Sequence, residues 1–413
     1  MNNKILLAIA DGVGDRPCEM LGYKTPLQYA NTEHLDKLAQ TGATGIMDLY
    51  HAGIPVGTDL GHLILFGYGL EDYPGRGPIE AFGDGMELIG GDVALRCNFA
   101  TVDEEMNVID RRAGRIREGA EILAAALNGM ELDGVQVLFK EATEHRAVMV
   151  LRGEGLSAQI TDTDPKKENI SVKAAAAKDG SPEAEHTARI LNQVMGKAHE
   201  ILKNHPLNQE RINKGLLPAN AILTRGAGMM TRIEKITDKL GFKACCVASE
   251  RTVLGVARLA GFDIMTDDNF TGNIDTDIDK KAQFAVEALK ENDFVVLHFK
   301  ATDLMGHDND PQGKVHAIER YDEMLGKVME AIENEIEQPV IIALAADHST
   351  PCERREHSGE PVPIVISGKN IRCDQVTQYD EIACSQGGLG RIKGAEFNCT
   401  LLDYLEVTVK QGN

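Results

Sequence analysis

Three short, largely apolar runs in this sequence each lead to an aspartate. The runs cover residues 5–10, 294–299 and 340–346, and the aspartates that follow them are Asp11, Asp303 and Asp347. Runs of this length and composition are typical of strands buried on both faces of a parallel sheet. In such a sheet, functional groups collect outside the carboxyl ends of the strands. The pattern therefore predicts an open, mainly parallel α/β sheet with three carboxylates at one edge.

Three histidines accompany these aspartates. His307 follows Asp303 by four residues, His348 adjoins Asp347, and His357 lies ten residues beyond Asp347. Each feature has an ordinary explanation when taken alone. Asp303 could cap a helix that ends in a surface histidine, Asp347 and His348 could form a structural turn, and His357 could be an exposed side chain. Together, however, three carboxylates and three imidazoles are enough to bind two metal ions.

Length and charge narrow the class of protein. The chain has 413 residues, which suits two domains. Its formal net charge of -21, from 43 Lys and Arg against 64 Asp and Glu, argues against general binding to nucleic acid or acidic membranes, because like charges repel. No apolar stretch reaches the length of about 18 residues that a membrane helix needs. The residues after Lys4 make a poor signal peptide, so the cytoplasm is the expected location.

The eight cysteines carry no recognisable framework. They are scattered and contain no CxxC pair, although Cys245 and Cys246 are adjacent. This spacing argues against a set of disulfides or a structural zinc site, so reduced thiols are expected.

Strands alternate with amphipathic helices along the chain, which favours a doubly wound sheet. Helices are predicted at residues 118–128, 183–203, 279–290 and 314–333. The metal-type residues lie before about residue 62 and after about residue 300. We therefore expect a discontinuous metal-binding domain, residues 1–92 and 236–413, with a smaller α/β domain, residues 93–235, inserted into it.

A candidate nucleophile lies in the segment 55–62. Gly57 precedes Thr58 there, and a glycine permits a tight turn or a close backbone approach. If a helix begins at this point, its N–H groups and positive dipole would face a phosphate. A divalent ion bound to the threonine hydroxyl would lower its pKa and make it a nucleophile. A plain helix cap is the alternative role for Thr58.

Short motifs spread over nearly the whole chain point to one family. They occupy residues 11–17, 24–27, 75–78, 96–101, 110–115, 145–147, 161–165, 225–228, 300–303, 347–351 and 387–391. With these motifs the sequence resembles the archaeal-type branch of the cofactor-independent (2,3-bisphosphoglycerate-independent) phosphoglycerate mutases, in the alkaline phosphatase superfamily.

The resemblance implies two metal sites and an order of chemical steps. One ion would be bound by Asp303, His307 and His357, and the other by Asp11, Thr58, Asp347 and His348. Manganese is the favoured ion, with zinc, cobalt, iron or magnesium as alternatives. Thr58 would take the phosphoryl group from 3-phosphoglycerate, the glycerate would reorient without leaving, and the group would return to the 2-hydroxyl.

The resemblance also gives the inserted domain a task, which is to bind the carboxylate of the substrate and exclude water. Arginines suit carboxylates because they bind them through two hydrogen bonds. The candidate catalytic residues besides Thr58 are Asp110, Arg111 and Asp164, with Asp110 or Asp164 as the proton carrier. The candidate substrate-binding residues are Arg112, Arg115, His145, Arg146, Arg225 and Lys300. Exposed arginines that merely pair with nearby acids are the alternative for this set.

Two departures from the family pattern affect the substrate more than the chemistry. The family usually has serine where this chain has Thr58, and Leu60-Gly61 replaces a familiar Thr-Ala pair. Threonine keeps the hydroxyl but adds a methyl group and restricts χ1. A hydrolase or mutase acting on a related phosphomonoester or phosphonate is thus one alternative, and a metal-binding regulator without turnover is another.

Overall fold

The structure, a computed structural model, describes residues 3–412. The strands within this range are β1 Lys4–Ala10, β2 Gly42–Asp48, β3 Val93–Val102, β4 Val108–Asp110, β5 Met130–Leu132, β6 Val135–Glu141, β7 Arg146–Arg152, β8 Ala221–Met229, β9 Ala244–Val247, β10 Asp263–Met265, β11 Phe294–Phe299, β12 Val340–Ala345, β13 Val362–Ser367 and β14 Gly390–Lys393. The α-helices are α1 Pro26–Tyr29, α2 Glu33–Gln40, α3 Thr58–Leu65, α4 Arg76–Gly83, α5 Ala120–Leu127, α6 Pro182–Lys203, α7 Pro206–Asn213, α8 Ile236–Leu240, α9 Arg251–Ala260, α10 Ile278–Glu291, α11 Ala301–Asp308, α12 Pro311–Glu335 and α13 Gly394–Tyr404. The four predicted helices correspond to α5, α6, α10 and α12.

The chain divides into two compact units. The first extends to Tyr73 and resumes at Glu234, and the second is Pro74–Ile233. The first junction therefore lies earlier than the boundary expected at residue 92, because α4 packs on β3 and β8. The second junction lies close to the expected residue 235. The assignment of metal binding to one unit and substrate capping to the other stays a prediction.

The first unit is built on an eight-stranded sheet with the order β10-β9-β11-β1-β12-β13-β2-β14. All pairings from β10 to β12 are parallel, β13 is antiparallel to both of its neighbours, and β14 is parallel to β2. Every residue of β1 and β11 is buried, as expected for strands covered on both faces. The predicted mainly parallel α/β sheet is confirmed.

The second unit contains a different kind of sheet. Its order is β4-β3-β7-β6-β5, with β8 also paired to β3, and all its pairings are antiparallel. The link from β6 to β7 has only four residues, 142–145, which allows a hairpin but not a parallel crossover. Helix α6 begins where Ser181 caps it and Pro182 fills its first position. Its apolar face, which includes Leu191 and Val194, joins the core of this unit with α5.

A buried lysine connects two loops of the first unit. Lys314 of α12 is fully buried, and its Nζ donates to Asp15 Oδ2 at 2.9 Å, to the Gly14 carbonyl at 3.2 Å and to the Thr350 carbonyl at 2.9 Å. Asp15 also accepts the Cys352 N–H. The loop after β1 and the loop after β12 are therefore held to the same helix.

All eight cysteines are free, and six of them are buried. Within residues 3–412, no helix is both long and apolar enough to cross a membrane.

Replacing the buried cation should destabilise the first unit. The Lys314→Met variant leaves the Asp15 carboxylate buried without its partner, so we expect a loss of about 3–5 kcal/mol in the free energy of unfolding. Denaturant titration would measure this loss. The matched control is Lys327→Met on the same helix, where the lysine is exposed and pairs with Asp279 at 2.8 Å, and the expected change is within about 1 kcal/mol. Equal midpoints for the two variants would contradict a structural role for Lys314.

Candidate metal centre

The three aspartates lie at the same edge of the large sheet. In the parallel register, Ala10 of β1 pairs with Phe299 of β11, and Ile9 pairs with Ala345 of β12. The carboxyl ends of the three strands are therefore level. Asp11 follows β1 directly, Asp347 lies two residues after β12, and Asp303 lies in the first turn of α11, just after β11. All three side chains are buried, with 0 to 2% of each residue exposed.

A first group of ligand atoms comes from Asp11, Asp347 and His348, and these atoms all lie within 4.8 Å of one another. His348 Nε2 is 3.1 Å from Asp347 Oδ2 and 3.5 Å from Asp11 Oδ1. The Thr58 hydroxyl oxygen is 3.2 Å from the same nitrogen. The four side chains that the family pattern assigns to one ion are thus neighbours.

A second group surrounds Asp303. Its Oδ1 lies 3.4 Å from His307 Nε2 and 3.5 Å from His357 Nε2. The ring of His357 also stacks on that of His348, with 3.5 Å between centroids. Asp303, His348 and His357 could therefore also share an ion, so His348 lies between the two groups.

The ring nitrogens that face the carboxylates are available as ligands. His307 Nδ1 lies 2.9 Å from the Arg355 carbonyl, and His357 Nδ1 lies 2.8 Å from the Val56 carbonyl. A carbonyl can only accept, so Nδ1 carries the proton in each ring and Nε2 keeps its lone pair. His348 Nδ1 similarly faces a hydroxyl, 3.0 Å away, whose proton is donated to Asp303.

Two buried carboxylate oxygens without a hydrogen bond are consistent with a cation at this site. Among the described residues, no hydrogen bond reaches Asp11 Oδ1 or Asp347 Oδ2. Lys300 supplies one positive charge, with its Nζ 3.0 Å from Asp11 Oδ2 and 2.7 Å from Asp303 Oδ2. Three buried carboxylates exceed that single charge, and an uncompensated buried charge is strongly unfavourable. The mixed oxygen and nitrogen donors suit a divalent transition metal.

Thr58 is placed at this centre by the start of α3. It is the first residue of the helix, and Gly57 occupies the cap position, so the alternative of a plain cap does not hold. Gly61, one turn later, allows the helix to approach the Asp347 loop, because an added Cβ would overlap the Asp347 carbonyl oxygen. Asp303 is likewise not a helix cap, since α11 begins after Lys300.

Two buried histidines that we did not predict as site residues lie behind the carboxylates. His62 Nδ1 is 2.8 Å from the Thr58 carbonyl and 3.3 Å from Asp347 Oδ2. His298 Nε2 is 2.9 Å from Asp11 Oδ2, and burial lowers the pKa of His298 to about 4. Signals for both exist in the sequence. His62 follows Thr58 by one helical turn, and His298 is the polar residue inside an apolar run.

Lys300, a predicted substrate-binding residue, belongs to this centre in the structure. Although burial opposes a charged amine, the carboxylates of Asp11 and Asp303 raise the pKa of Lys300. It is therefore cationic at neutral pH. Its position between the two groups gives it a direct electrostatic role with the carboxylates.

In the second unit, four of the predicted substrate-binding residues form a cationic cluster around His145. Arg112, Arg115 and Arg146 are exposed and all act electrostatically on His145, which is itself only 8% exposed. Burial, followed by the charges of Arg146 and Arg112, lowers the pKa of His145. A neutral imidazole beside three guanidinium groups is a suitable setting for a small anion.

The other predicted residues of this unit centre on Asp164. This carboxylate accepts two hydrogen bonds from Arg111, at 3.1 Å from Nε and 2.6 Å from Nη2, and is nearly fully buried. Burial favours the neutral acid, but Arg111 holds the pKa of Asp164 below its usual value, and Arg225 adds to the effect. Asp164 is thus an ionised partner of Arg111. Asp110 accepts the backbone N–H of Arg112 at 2.6 Å.

Comparison with known proteins identifies the family. A 2,3-bisphosphoglycerate-independent phosphoglycerate mutase from Methanocaldococcus jannaschii is 46% identical over 402 residues, which cover 97% of each chain. A namesake from Methanothermobacter thermautotrophicus is 42% identical and covers 99% of this chain and 100% of its own. The chain belongs to the 2,3-bisphosphoglycerate-independent phosphoglycerate mutase family. The model of that family matches residues 39–208, and a type I phosphodiesterase / nucleotide pyrophosphatase model matches residues 229–359.

Solved structures agree with this membership of the phosphoglycerate mutase family. A protein from Pyrococcus horikoshii superposes with a TM-score of 0.84 at 38% identity and complete coverage of both chains. A cofactor-independent phosphoglycerate mutase from Thermoplasma acidophilum gives a TM-score of 0.74 at 32% identity, over 98% of this chain and 100% of its own. The fold of this chain is therefore that of its family.

Metal binding should stabilise the folded protein. Addition of Mn²⁺ to metal-stripped protein should raise the thermal unfolding midpoint, because the ligands converge only in the folded state. At a free ion concentration of about 100 times Kd, the gain is about 2.7 kcal/mol. Asp347→Asn should reduce the metal-dependent shift, whereas Asp279→Asn, which changes an exposed carboxylate, should keep it. Identical shifts in the two variants would rule out Asp347 as a ligand.

Proposed function

We propose that this chain is a metal-dependent mutase that interconverts 3-phosphoglycerate and 2-phosphoglycerate through a phosphorylated Thr58. The observation that carries the proposal is the position of the Thr58 oxygen, 3.2 Å from His348 Nε2, at the N-terminus of α3 and beside Asp11 and Asp347. The curated relatives that share about 42 to 46% of the sequence carry this activity in their names, which supports the choice of substrate.

The residues of the site have two roles, which are to bind the ions and to position the Thr58 hydroxyl. Asp303, His307 and His357 would hold one ion, and Asp11, Asp347, His348 and Thr58 the other, with manganese favoured. Bound there, two divalent ions would acidify the hydroxyl and neutralise charge on the phosphoryl oxygens. Because α3 begins at Thr58, the positive end of its dipole lies at this residue and attracts a phosphate.

The reaction balances within the substrate and Thr58. The Thr58 hydroxyl loses its proton as its oxygen bonds to phosphorus, and the bond from phosphorus to the 3-oxygen of the substrate breaks as that oxygen takes up a proton. The glycerate turns, its 2-hydroxyl loses its proton as the 2-oxygen bonds to phosphorus, and the bond to Thr58 breaks. The threonine regains a proton, so the protein ends unchanged. Transfer in line between two oxygens requires positioning more than covalent chemistry from the protein.

Water must be kept from the phosphorylated threonine, since its attack would release phosphate. We assign the carboxylate of the substrate to the cluster of Arg112, Arg115, Arg146 and His145 in the second unit. Guanidinium groups bind a carboxylate through paired hydrogen bonds and so can hold the glycerate while it turns. Of the two candidate proton carriers, Asp110 suits the role better, because Asp164 is held ionised by Arg111.

Hydrolysis of a related phosphate or phosphonate ester is the second candidate function. Two observations favour it: the nucleophile is a threonine where the family usually has serine, and the phosphodiesterase model covers residues 229–359, which contain Asp303, His307, Asp347, His348 and His357. The two functions differ in the acceptor of the phosphoryl group from Thr58. The acceptor is the 2-hydroxyl of the substrate in a mutase and water in a hydrolase.

Phosphorus NMR of the Mn²⁺-loaded protein with 3-phosphoglycerate separates these functions. The expected product is 2-phosphoglycerate without inorganic phosphate. Release of inorganic phosphate would contradict the mutase proposal and support a hydrolase. The absence of any product would exclude 3-phosphoglycerate as the substrate.

The nucleophile is tested in the same assay. Thr58→Ala should lower turnover by at least about 1,000-fold, because no oxygen remains to accept the phosphoryl group. Metal binding should largely persist, since six other ligands remain, and measuring it controls for misfolding. Thr58→Ser keeps the hydroxyl and should retain turnover. Turnover by the alanine variant would exclude Thr58 as the nucleophile.

Loss of one guanidinium group should weaken substrate binding. We expect Arg146→Gln to lower kcat/KM by about 10- to 100-fold, the effect of removing a hydrogen bond to a charged group. Initial rates over a range of 3-phosphoglycerate concentrations would measure it. Arg189→Gln is the control, since Arg189 of the same unit is exposed and pairs with Asp133 at 2.7 Å. If both variants match the parent protein, Arg146 does not contact the substrate.

A further inference from the structure

A glutamate outside the family pattern lies beside the second group of metal ligands. Glu356 directly precedes His357, and one of its carboxylate oxygens, one ring nitrogen of His307 and one ring nitrogen of His357 all lie within 4.8 Å of one another. Glu356 is exposed, whereas His307 and His357 are partly buried. The ligands that the family resemblance gives to this ion are Asp303, His307 and His357, so Glu356 has no role there.

The two histidines direct their free nitrogens toward a common point. The backbone carbonyls of Arg355 and Val56 accept from Nδ1 of His307 and His357. Each Nε2 therefore has a lone pair available, and both lie 3.4 to 3.5 Å from Asp303 Oδ1. The buried carboxylate of Asp303 and the more exposed carboxylate of Glu356 therefore both lie close to these two imidazole rings.

The orientation of Glu356 leaves an oxygen for an ion. Its Oε1 accepts the backbone N–H of His357 at 3.0 Å, which fixes the carboxylate beside the imidazole. The second oxygen is not used in that hydrogen bond. A carboxylate accepts at both oxygens, so binding an ion would not require the first hydrogen bond to break.

The charges near Asp303 also favour a second carboxylate. Lys300 lies 2.7 Å from Asp303 Oδ2 and neutralises much of its charge. A divalent ion bound by Asp303 and two neutral imidazoles would then retain most of its positive charge. Glu356 supplies a further negative charge beside the two imidazoles.

We propose that Glu356 is a fourth protein ligand of the ion bound by Asp303, His307 and His357. The resulting set of two carboxylates and two imidazoles is of the kind that binds zinc or cobalt in a four-coordinate site. The inference rests on the proposed metal centre and is independent of the identity of the substrate. Because Glu356 is the most exposed of the four, it is also the ligand that a phosphoryl oxygen can displace with least rearrangement.

Titration of metal-stripped protein with Co²⁺ tests this ligand. The visible absorption of Co²⁺ reports its coordination, and equilibrium dialysis gives the number of bound ions and their affinities. In Glu356→Gln, one of two ions should bind at least about 10-fold more weakly, because even loss of a residue that only supports a ligand lowers affinity by about 10- to 100-fold. The absorption band of that ion should also shift. Glu353→Gln is the matched control, since it removes an exposed glutamate from the same loop, and it should titrate like the parent protein.

Each other result excludes the inference in a distinct way. If the parent protein binds two Co²⁺ ions and Glu356→Gln gives the same affinities and spectrum, Glu356 is not a ligand, and the proposed reaction is unaffected. If Glu353→Gln weakens binding equally, the effect is one of net charge on the loop. If the parent protein binds no Co²⁺ or Mn²⁺, the metal centre fails and both proposals fall with it. Circular dichroism of the variants separates any of these results from misfolding.

Discussion

Repulsion among three buried carboxylates is the constraint on which the rest of the site depends. Because β1, β11 and β12 are parallel and end at the same height, Asp11, Asp303 and Asp347 all lie at one edge of the sheet. Lys300 offsets part of their charge, and the loops that carry Asp11 and Asp347 are both held by Lys314, which is paired with Asp15. The negative charge that remains uncompensated favours the binding of cations at this edge. The site is thus a consequence of strand order as much as of residue choice.

The large sheet and the ligands it carries could be predicted because both depend on local patterns. A fully apolar run specifies a strand with two covered faces, and an aspartate at its end needs no distant information to be recognised as a candidate ligand. The sheet of the second unit was harder to predict, since its antiparallel pairing follows from which strands meet. Short links were local signs of it, namely the four residues between β6 and β7 and the two residues, Asp133 and Gly134, between β5 and β6. The first junction between units, at Tyr73 and Pro74, follows from the packing of α4. Pro74 and Gly75 mark a turn there, but a turn alone does not identify a domain boundary.

The parts of the site that the sequence did not reveal are those defined by distance. Lys300 was predicted to bind substrate, but its position between the carboxylates of Asp11 and Asp303 was not predicted. His62 and His298 support the carboxylates from behind, and Glu356 approaches the histidines from the solvent side. For the arginines, sequence offered substrate binding or pairing with acids. Arg111 pairs with Asp164, whereas Arg112, Arg115 and Arg146 gather around His145. The predicted arginines therefore include both kinds, one that pairs with an acid and three that are available to bind an anion.

The absence of a side chain at Gly61 affects the position of Thr58, because both residues belong to α3. Any larger residue there would press on the peptide that carries Asp347, and the helix could relieve that pressure only by moving its own first turn, where Thr58 begins it. Positions 58 and 61 are therefore mechanically linked through the helix backbone. An alanine at position 61 would therefore shift the first turn of α3 and, with it, the hydroxyl of Thr58.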